Sequence, residues 1–151
     1  MIGPLEEEQI EKILCRNVLG HLGCHDEYDS YVYPVNFVYD GKSIICHSQP
    51  GSKIDVMRLN KRICLQVDEI KDFANWVSVM VLGQYKEITE EWERYQAIKI
   101  FVDHHLQLKI SNPSLLPGLK EQNQRLQVQP EKRPIIYRII IDKKNGRYED
   151  E

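Results

Sequence analysis

Ser52 and Lys53 follow a Pro-Gly turn, directly after the apolar run Ser43-Ile44-Ile45-Cys46-His47-Ser48. The pattern predicts a strand ending at His47-Ser48, a turn at Gln49-Pro50-Gly51, and a helix opening on Ser52 and Lys53. A helix N-terminus leaves its first backbone N–H groups without intrahelical partners. Those donors, the helix dipole and a lysine ammonium together suit an anion, most often a phosphate. Just upstream, Tyr31-Val32-Tyr33-Pro34-Val35-Asn36-Phe37-Val38-Tyr39 offers a strand against which a flat aromatic ligand can lie. Asn36 carries both a donor and an acceptor, which suits the edge of a heteroaromatic ring. Pro34 has no N–H, so a ladder is interrupted there and a neighbouring backbone group is freed.

Other chemistry finds less support. The cysteines at 15, 24, 46 and 64 match no zinc spacing and read as small buried apolar residues in a reducing cytoplasm. His21, His25, His104 and His105 have no carboxylate or cysteine partner at metal-ligand spacing and read as structural, so no metal site is expected. Asp55 and Asp68 read as a helix-surface and a strand-end group. No Ser-His-Asp or Cys-His spacing argues for a catalytic nucleophile. Gly20 and Gly23 are too few for a dinucleotide-binding glycine loop.

The elements that must position Lys53 and its neighbours follow from periodicity. A helix is predicted over 5–16, with Ile10, Ile13 and Leu14 on one face and Asn17 as its stop. Strands are predicted over 18–25, 31–39 and 43–48, the last two joined by an Asp40-Gly41 hairpin. The helix over 52–59 carries Ile54, Val56, Met57 and Leu59 around a broad apolar face. A strand at 63–68, a polar loop to Ala74 and a long strand over 75–88 follow, with Gly83 marking a bend or bulge. Thr89 is expected to cap a helix whose stripe holds Tyr95, Ile98, Val102 and Leu106. Residues 111–133 read as irregular, 134–141 as a final strand, and Glu149-Asp150-Glu151 as a solvated tail. Strands 31–39 and 75–82 are apolar on both faces, so a helix, a ligand or another subunit must cover the outer one. The aromatics Tyr31, Tyr33, Phe37 and Tyr39 share one face and read as core.

The whole is one domain, 1–151, of mainly β (α+β) class, with short connections that favour antiparallel pairing and closure into a small barrel. A net charge of −3 with dispersed lysines and arginines gives no nucleic-acid footprint. The first residues, acidic and interrupted by Glu, do not form a signal peptide. No apolar stretch nears the ~20 residues that span a bilayer, and a cytoplasmic location is expected.

Read in order, Pro34-Val35-Asn36-Phe37-Val38-Tyr39, Ile45-Cys46-His47-Ser48, Gly51-Ser52-Lys53-Ile54-Asp55, Val67-Asp68-Glu69 and Trp76-Val77-Ser78-Val79 resemble the FMN-binding split-barrel family of pyridoxamine-phosphate oxidases. Within it the likeness is greatest to the nitroimidazole-resistance (Nim) flavoproteins, over residues 8 to 105. The resemblance implies a six-stranded antiparallel split β-barrel with flanking helices, and a homodimer with one FMN at each end of its interface. By position, Ser52 and Lys53 would hold the FMN phosphate, and Tyr33, Pro34, Val35 and Asn36 would line the isoalloxazine. His47 and Ser48 would sit beside the flavin, and Trp76 and Ser78 near the partner subunit. The run of arginines by which pyridoxamine-phosphate oxidases hold their substrate phosphate is missing, so the pyridoxal-phosphate reaction is not implied. The expected activity is FMN-dependent reduction of a small electron-poor molecule such as a 5-nitroimidazole or other nitroaromatic. His47 is the candidate catalytic group, and any NAD(P)H would have to bind transiently over the flavin and leave. The alternative is a non-catalytic flavin- or haem-binding module, for which His47 would be the axial ligand.

Overall fold

The computed structural model describes residues 1–111 and 133–151, so the stretch 111–133 read as irregular lies, but for its ends, outside the described residues. Seven strands are present: β1 (Ile2–Pro4), β2 (Leu19–His25), β3 (Ser30–Tyr39), β4 (Ser43–Ser48), β5 (Arg62–Asp72), β6 (Asn75–Glu87) and β7 (Ile135–Glu149). The helices are α1 (Glu7–Arg16), α2 (Ser52–Leu59) and α3 (Glu91–Ser111). The sheet order is β1-β7-β4-β3-β2-β5-β6, and β6 also pairs with β7. That pairing closes six strands, β7-β4-β3-β2-β5-β6, into a barrel, with β1 added on the far end of β7. All pairings are antiparallel.

Alternation along the strands sorts the side chains into two cores. Leu22, Phe37, Ile44, Leu65, Val81 and Tyr137 fill the barrel, and Ile10, Ile13 and Leu14 of α1 with Ile54 and Met57 of α2 pack into the same cluster. On the opposite faces, Val38, Ile45 and Ile136 pack against Ala97 and Phe101 of α3. The helix α3 is therefore the outer cover that the two-faced strand 31–39 requires. Tyr39 and Phe37 are buried as expected of core aromatics, with Tyr31 and Tyr33 partly buried against them. Gly83 stands where the β6–β7 register shifts: Leu82 pairs with Lys143 and Gly83 with Ile141, leaving Asp142 unpaired in the ladder. A Cβ on Gly83 would meet the Ile140 carbonyl oxygen at 2.3 Å.

Several expectations are corrected. The polar loop after Asp68 is strand: β5 continues through Glu69–Val77 and Ile70–Trp76 pairs to Asp72. The final strand does not stop at 141, and the acidic tail is not simply solvated, because β7 runs on to Glu149 between β6 and β1. Its second half is polar, and only the neighbouring strands reveal it. Strand β1 was not foreseen, since three residues carry no period. Glu90 rather than Thr89 caps α3, its carboxylate accepting from the Trp92 N–H at 3.0 Å and the Glu93 N–H at 2.7 Å. The buried stripe of α3 is Arg94, Ala97, Phe101 and His105, with Tyr95 and Leu106 exposed. Small Ala97 lets the helix approach the sheet on a face other than the one the spacing marked. Leu59 is exposed on α2, and Cys15 is exposed on α1, while Cys24 and Cys46 are buried as expected. Among the described residues no helix is long and apolar enough to cross a membrane.

Candidate functional site

The β3–β4 ladder ends at the Phe37–Cys46 pair. Beyond it the strands part, while His47 and Ser48 keep the pairing with β7, opposite Ile136 and Ile135. Pro34 and Asn36, in turn, sit opposite His21 and Leu19 of β2. A cleft of about 210 Å³ opens in the gap, lined by Pro34, Val35, Asn36, His47, Ser48, Gln49 and Lys53. Proline at 34 suits this place, because a strand edge facing a gap has no ladder partner for an N–H to meet.

The first turn of α2 forms one end of the cleft. Gly51 precedes it in extended backbone, and no side chain caps the helix N-terminus. Ser52 is exposed at this terminus and outside the cleft lining. Lys53 is half-buried, with its Nζ 5.3 Å from the centre of the Tyr33 ring. Burial lowers the Lys53 pKa, opposed by the nearby Cys46 and Cys24 thiols. Among the described residues no carboxylate lies within ion-pair distance of Lys53. Arg16, Arg58, Arg133, Arg138 and Lys144 are, by contrast, each paired with an acid.

His47 forms the other wall. Its ring meets Phe101 of α3 edge to face, with centroids 4.9 Å apart. His105 stacks on Phe101 at 4.1 Å, and its Nδ1 lies 2.9 Å from the Phe101 carbonyl oxygen. A carbonyl only accepts, so Nδ1 carries the proton. Burial pushes the His105 pKa down to about 4, with the Phe101 carbonyl opposing and His104 and His47 adding to the fall. The imidazole behind the cleft is thus neutral near pH 7.

Of the residues singled out in the sequence, Pro34, Val35, Asn36, His47, Ser48 and Lys53 come together in one cleft. Tyr33 lies beneath Lys53 rather than in the lining, its ring facing the barrel side with Val35 and Phe37. Trp76 and Ser78 lie apart. The Trp76 Nε1–H donates to Glu149 Oε2 at 2.9 Å, and Ser78 Oγ accepts from Gln66 Nε2 at 3.0 Å. Trp76 lines a larger cleft, about 930 Å³, with Asp68, Glu69, Tyr148 and Glu149 among its walls. Volume does not make it the better anion site: its charged lining is mainly acidic, and Glu69 is already bound by Arg16 and Asn17. Sequence reasoning missed Gln49, Phe101 and His105. Gln49 was legible as part of the turn, whereas the α3 contacts join segments distant in sequence and carry no local signal.

In chemical terms the cleft offers an ammonium and open helix N–H groups at one end, and an imidazole and a hydroxyl along one wall. A side-chain amide and freed strand-edge backbone groups line the other. That set suits a flat heteroaromatic bearing an anionic arm.

A model of the pyridoxamine 5'-phosphate oxidase family matches residues 6–133. The chain belongs to this family. Solved structures share the fold. An FAD-binding protein from Mesorhizobium loti is similar over 100% of this chain and 98% of its own, with a TM-score of 0.73 and 26% identity. A proposed 5-nitroimidazole antibiotic resistance protein from Bacteroides thetaiotaomicron shares the fold at 19% identity and a TM-score of 0.71, over 98% of this chain and 87% of its own. An uncharacterised protein of Rhizobium meliloti (strain 1021) is 32% identical over 84 residues, which is 56% of each chain. The match therefore spans little more than half of that relative's length.

Proposed function

We propose that this protein binds FMN as a homodimer and uses it to reduce a small electron-poor molecule, with a nitroaromatic such as a 5-nitroimidazole as the leading substrate class. The observation that carries the reading is Lys53: half-buried, beside an uncapped helix N-terminus, and with no acid to pair among the described residues. A half-buried ammonium without a counter-ion is costly, and an anion there removes the cost. A phosphate at α2 places the attached ring system along Pro34, Val35 and Asn36, with His47 and Ser48 opposite. The FAD-binding relative at 26% identity supports a flavin in this fold. FMN is favoured because one lysine and one helix terminus stand at the start of α2, which would suit a single phosphate.

The small size of the cleft supports the dimer. At about 210 Å³ the cleft of one chain is below the ~300–1,000 Å³ usual for small-molecule pockets. Among the described residues α3 packs on β3, β4 and β7, and a second copy laid on the outer face of β6, with Trp76 and Ser78, would complete the walls. Bound flavin supplies the electrons. The chain's own residues bind and orient: Lys53 and the α2 N–H groups hold the phosphate, Asn36 and the strand edge hold the ring, and His47 donates a proton to substrate as it is reduced. A nicotinamide such as NAD(P)H would visit the open face transiently to supply the reducing equivalents. The unpaired thiols fit a cytoplasmic setting.

The visible spectrum of the purified protein, with identification of any released chromophore, tests this reading. Flavin bands and released FMN are expected. A Soret band would move the protein to the haem-binding class, and a colourless protein that takes up no FMN would contradict the reading. His47→Ala is expected to retain FMN and to lower kcat for nitro reduction about tenfold to a hundredfold. An unchanged kcat at saturating substrate would remove His47 from the chemistry.

A further inference from the structure

Tyr33 takes a place in the structure that differs from its implied role as a wall of the flavin ring. On β3 the residues alternate, and Tyr33 falls on the barrel side with Tyr31, Val35 and Phe37. Pro34, Val35 and Asn36 line the cleft, and Tyr33 does not. Its ring instead lies under the Lys53 ammonium, 5.3 Å from centroid to Nζ.

The ring is itself held. Tyr31 stacks on it with centroids 6.3 Å apart and planes 13° from parallel. The Tyr31 hydroxyl donates to Asp26 Oδ2 at 2.9 Å, and Asp26 Oδ1 accepts from the Tyr28 and Asp29 N–H groups at 2.8 and 2.7 Å. A fixed turn, one stacked ring and a second ring thus lead to the ammonium. A lysine side chain has much rotamer freedom to lose when it grips a ligand. A π face that already holds the ammonium in place removes part of that loss before binding.

We infer that Tyr33 is a positioning residue for Lys53: its ring holds the ammonium at the mouth of the cleft, aimed at the ligand's phosphate, without contacting the flavin ring. The inference rests on the reading of the cleft as a phosphate-bearing flavin site. It separates Tyr33 from Pro34, Val35 and Asn36, with which sequence order groups it, and it assigns Tyr33 to recognition of the anionic arm.

FMN and riboflavin differ only in the phosphate, so a comparison of the two isolates the lysine's contribution. Dissociation constants are measured by flavin fluorescence for the wild type, Tyr33→Phe, Tyr33→Leu, Lys53→Ala and the Tyr33→Leu/Lys53→Ala double variant. Tyr33→Leu is expected to weaken FMN about fivefold to tenfold and to leave riboflavin unchanged. Tyr33→Phe, which keeps the π face, is expected to restore FMN affinity, and Tyr33→Leu is expected to add nothing on top of Lys53→Ala. Tyr33→Met repeats the comparison if Tyr33→Leu does not fold. Equal weakening of FMN and riboflavin, or phosphate-dependent binding untouched by Tyr33→Leu, would overturn the inference alone. Wild-type protein that binds FMN no tighter than riboflavin would overturn the phosphate reading and the inference with it.

Discussion

His105 shows how a single side chain ties the site to the stability of the fold. It is 4% exposed, and burial lowers its pKa from 6.5 to about 4. The unfolded chain therefore binds a proton between those values that the folded chain refuses. The stabilisation is complete above pH 6.5 and is lost as pH falls toward 4. A difference of that size corresponds to roughly 3 kcal/mol at the acid end. Urea midpoints at pH 7 and pH 4.5 are expected to differ more in the wild type than in His105→Phe, which fills the same space without a titrating group. Equal pH dependence in the two proteins would show that His105 does not titrate on unfolding. At this scale the sequence was informative wherever the chemistry is local. Lys53, Ser48 and His47 lie within one strand-turn-helix, and Asn36 and Pro34 within one strand, so their approach could be read directly. The stack of His105 on Phe101 against His47 was not readable, because it joins α3 to β4 across more than 50 residues of chain.

Among the elements, β7 shows the limit of pattern reading. Its first half is apolar and announced itself. Its second half, Asp142-Lys143-Lys144-Asn145-Gly146-Arg147-Tyr148-Glu149, holds a polar sequence in strand form by pairing with β6, and over its last residues also with β1. Context of this kind overrides intrinsic propensity. The seam between β6 and β7 closes the barrel, and Gly83 lies in it opposite the extra residue Asp142. Gly83 was legible as a bend because a glycine inside an otherwise apolar strand signals close approach. Gly83→Ala forces a methyl group to within 2.3 Å of the Ile140 carbonyl oxygen, a backbone atom that yields only if the seam moves. A loss of about 1–3 kcal/mol is expected from overpacking, read as a lower denaturant midpoint. An unchanged midpoint would mean that the closure does not depend on this contact. The stripe of α3 went the other way: spacing pointed to Tyr95 and Leu106, and the helix buries Arg94, Ala97, Phe101 and His105. Its apolar residues encircle it, leaving Trp92 and Tyr95 stacked at 5.5 Å on the exposed side.

For the molecule as a whole, a small antiparallel barrel was legible from tight turns and alternation, and the family resemblance implied its six closing strands. The separation of Trp76 and Ser78 from the cleft was not, since a linear motif does not tell which parts of a site one chain supplies and which its copy supplies. If two copies complete the site, light scattering after size exclusion is expected to give twice the 17.8 kDa chain mass, and a monomer that still binds FMN would remove the second copy from the site. The most direct test of an anion-binding cleft is an FMN titration of the wild type, Lys53→Ala and Lys86→Ala, the last a solvent-exposed lysine on β6. Saturable binding by the wild type and Lys86→Ala, weakened more than about tenfold in Lys53→Ala, is the expected result for a charge-assisted phosphate contact. Equal affinity in all three proteins would contradict the assignment of the phosphate to Lys53 and the start of α2.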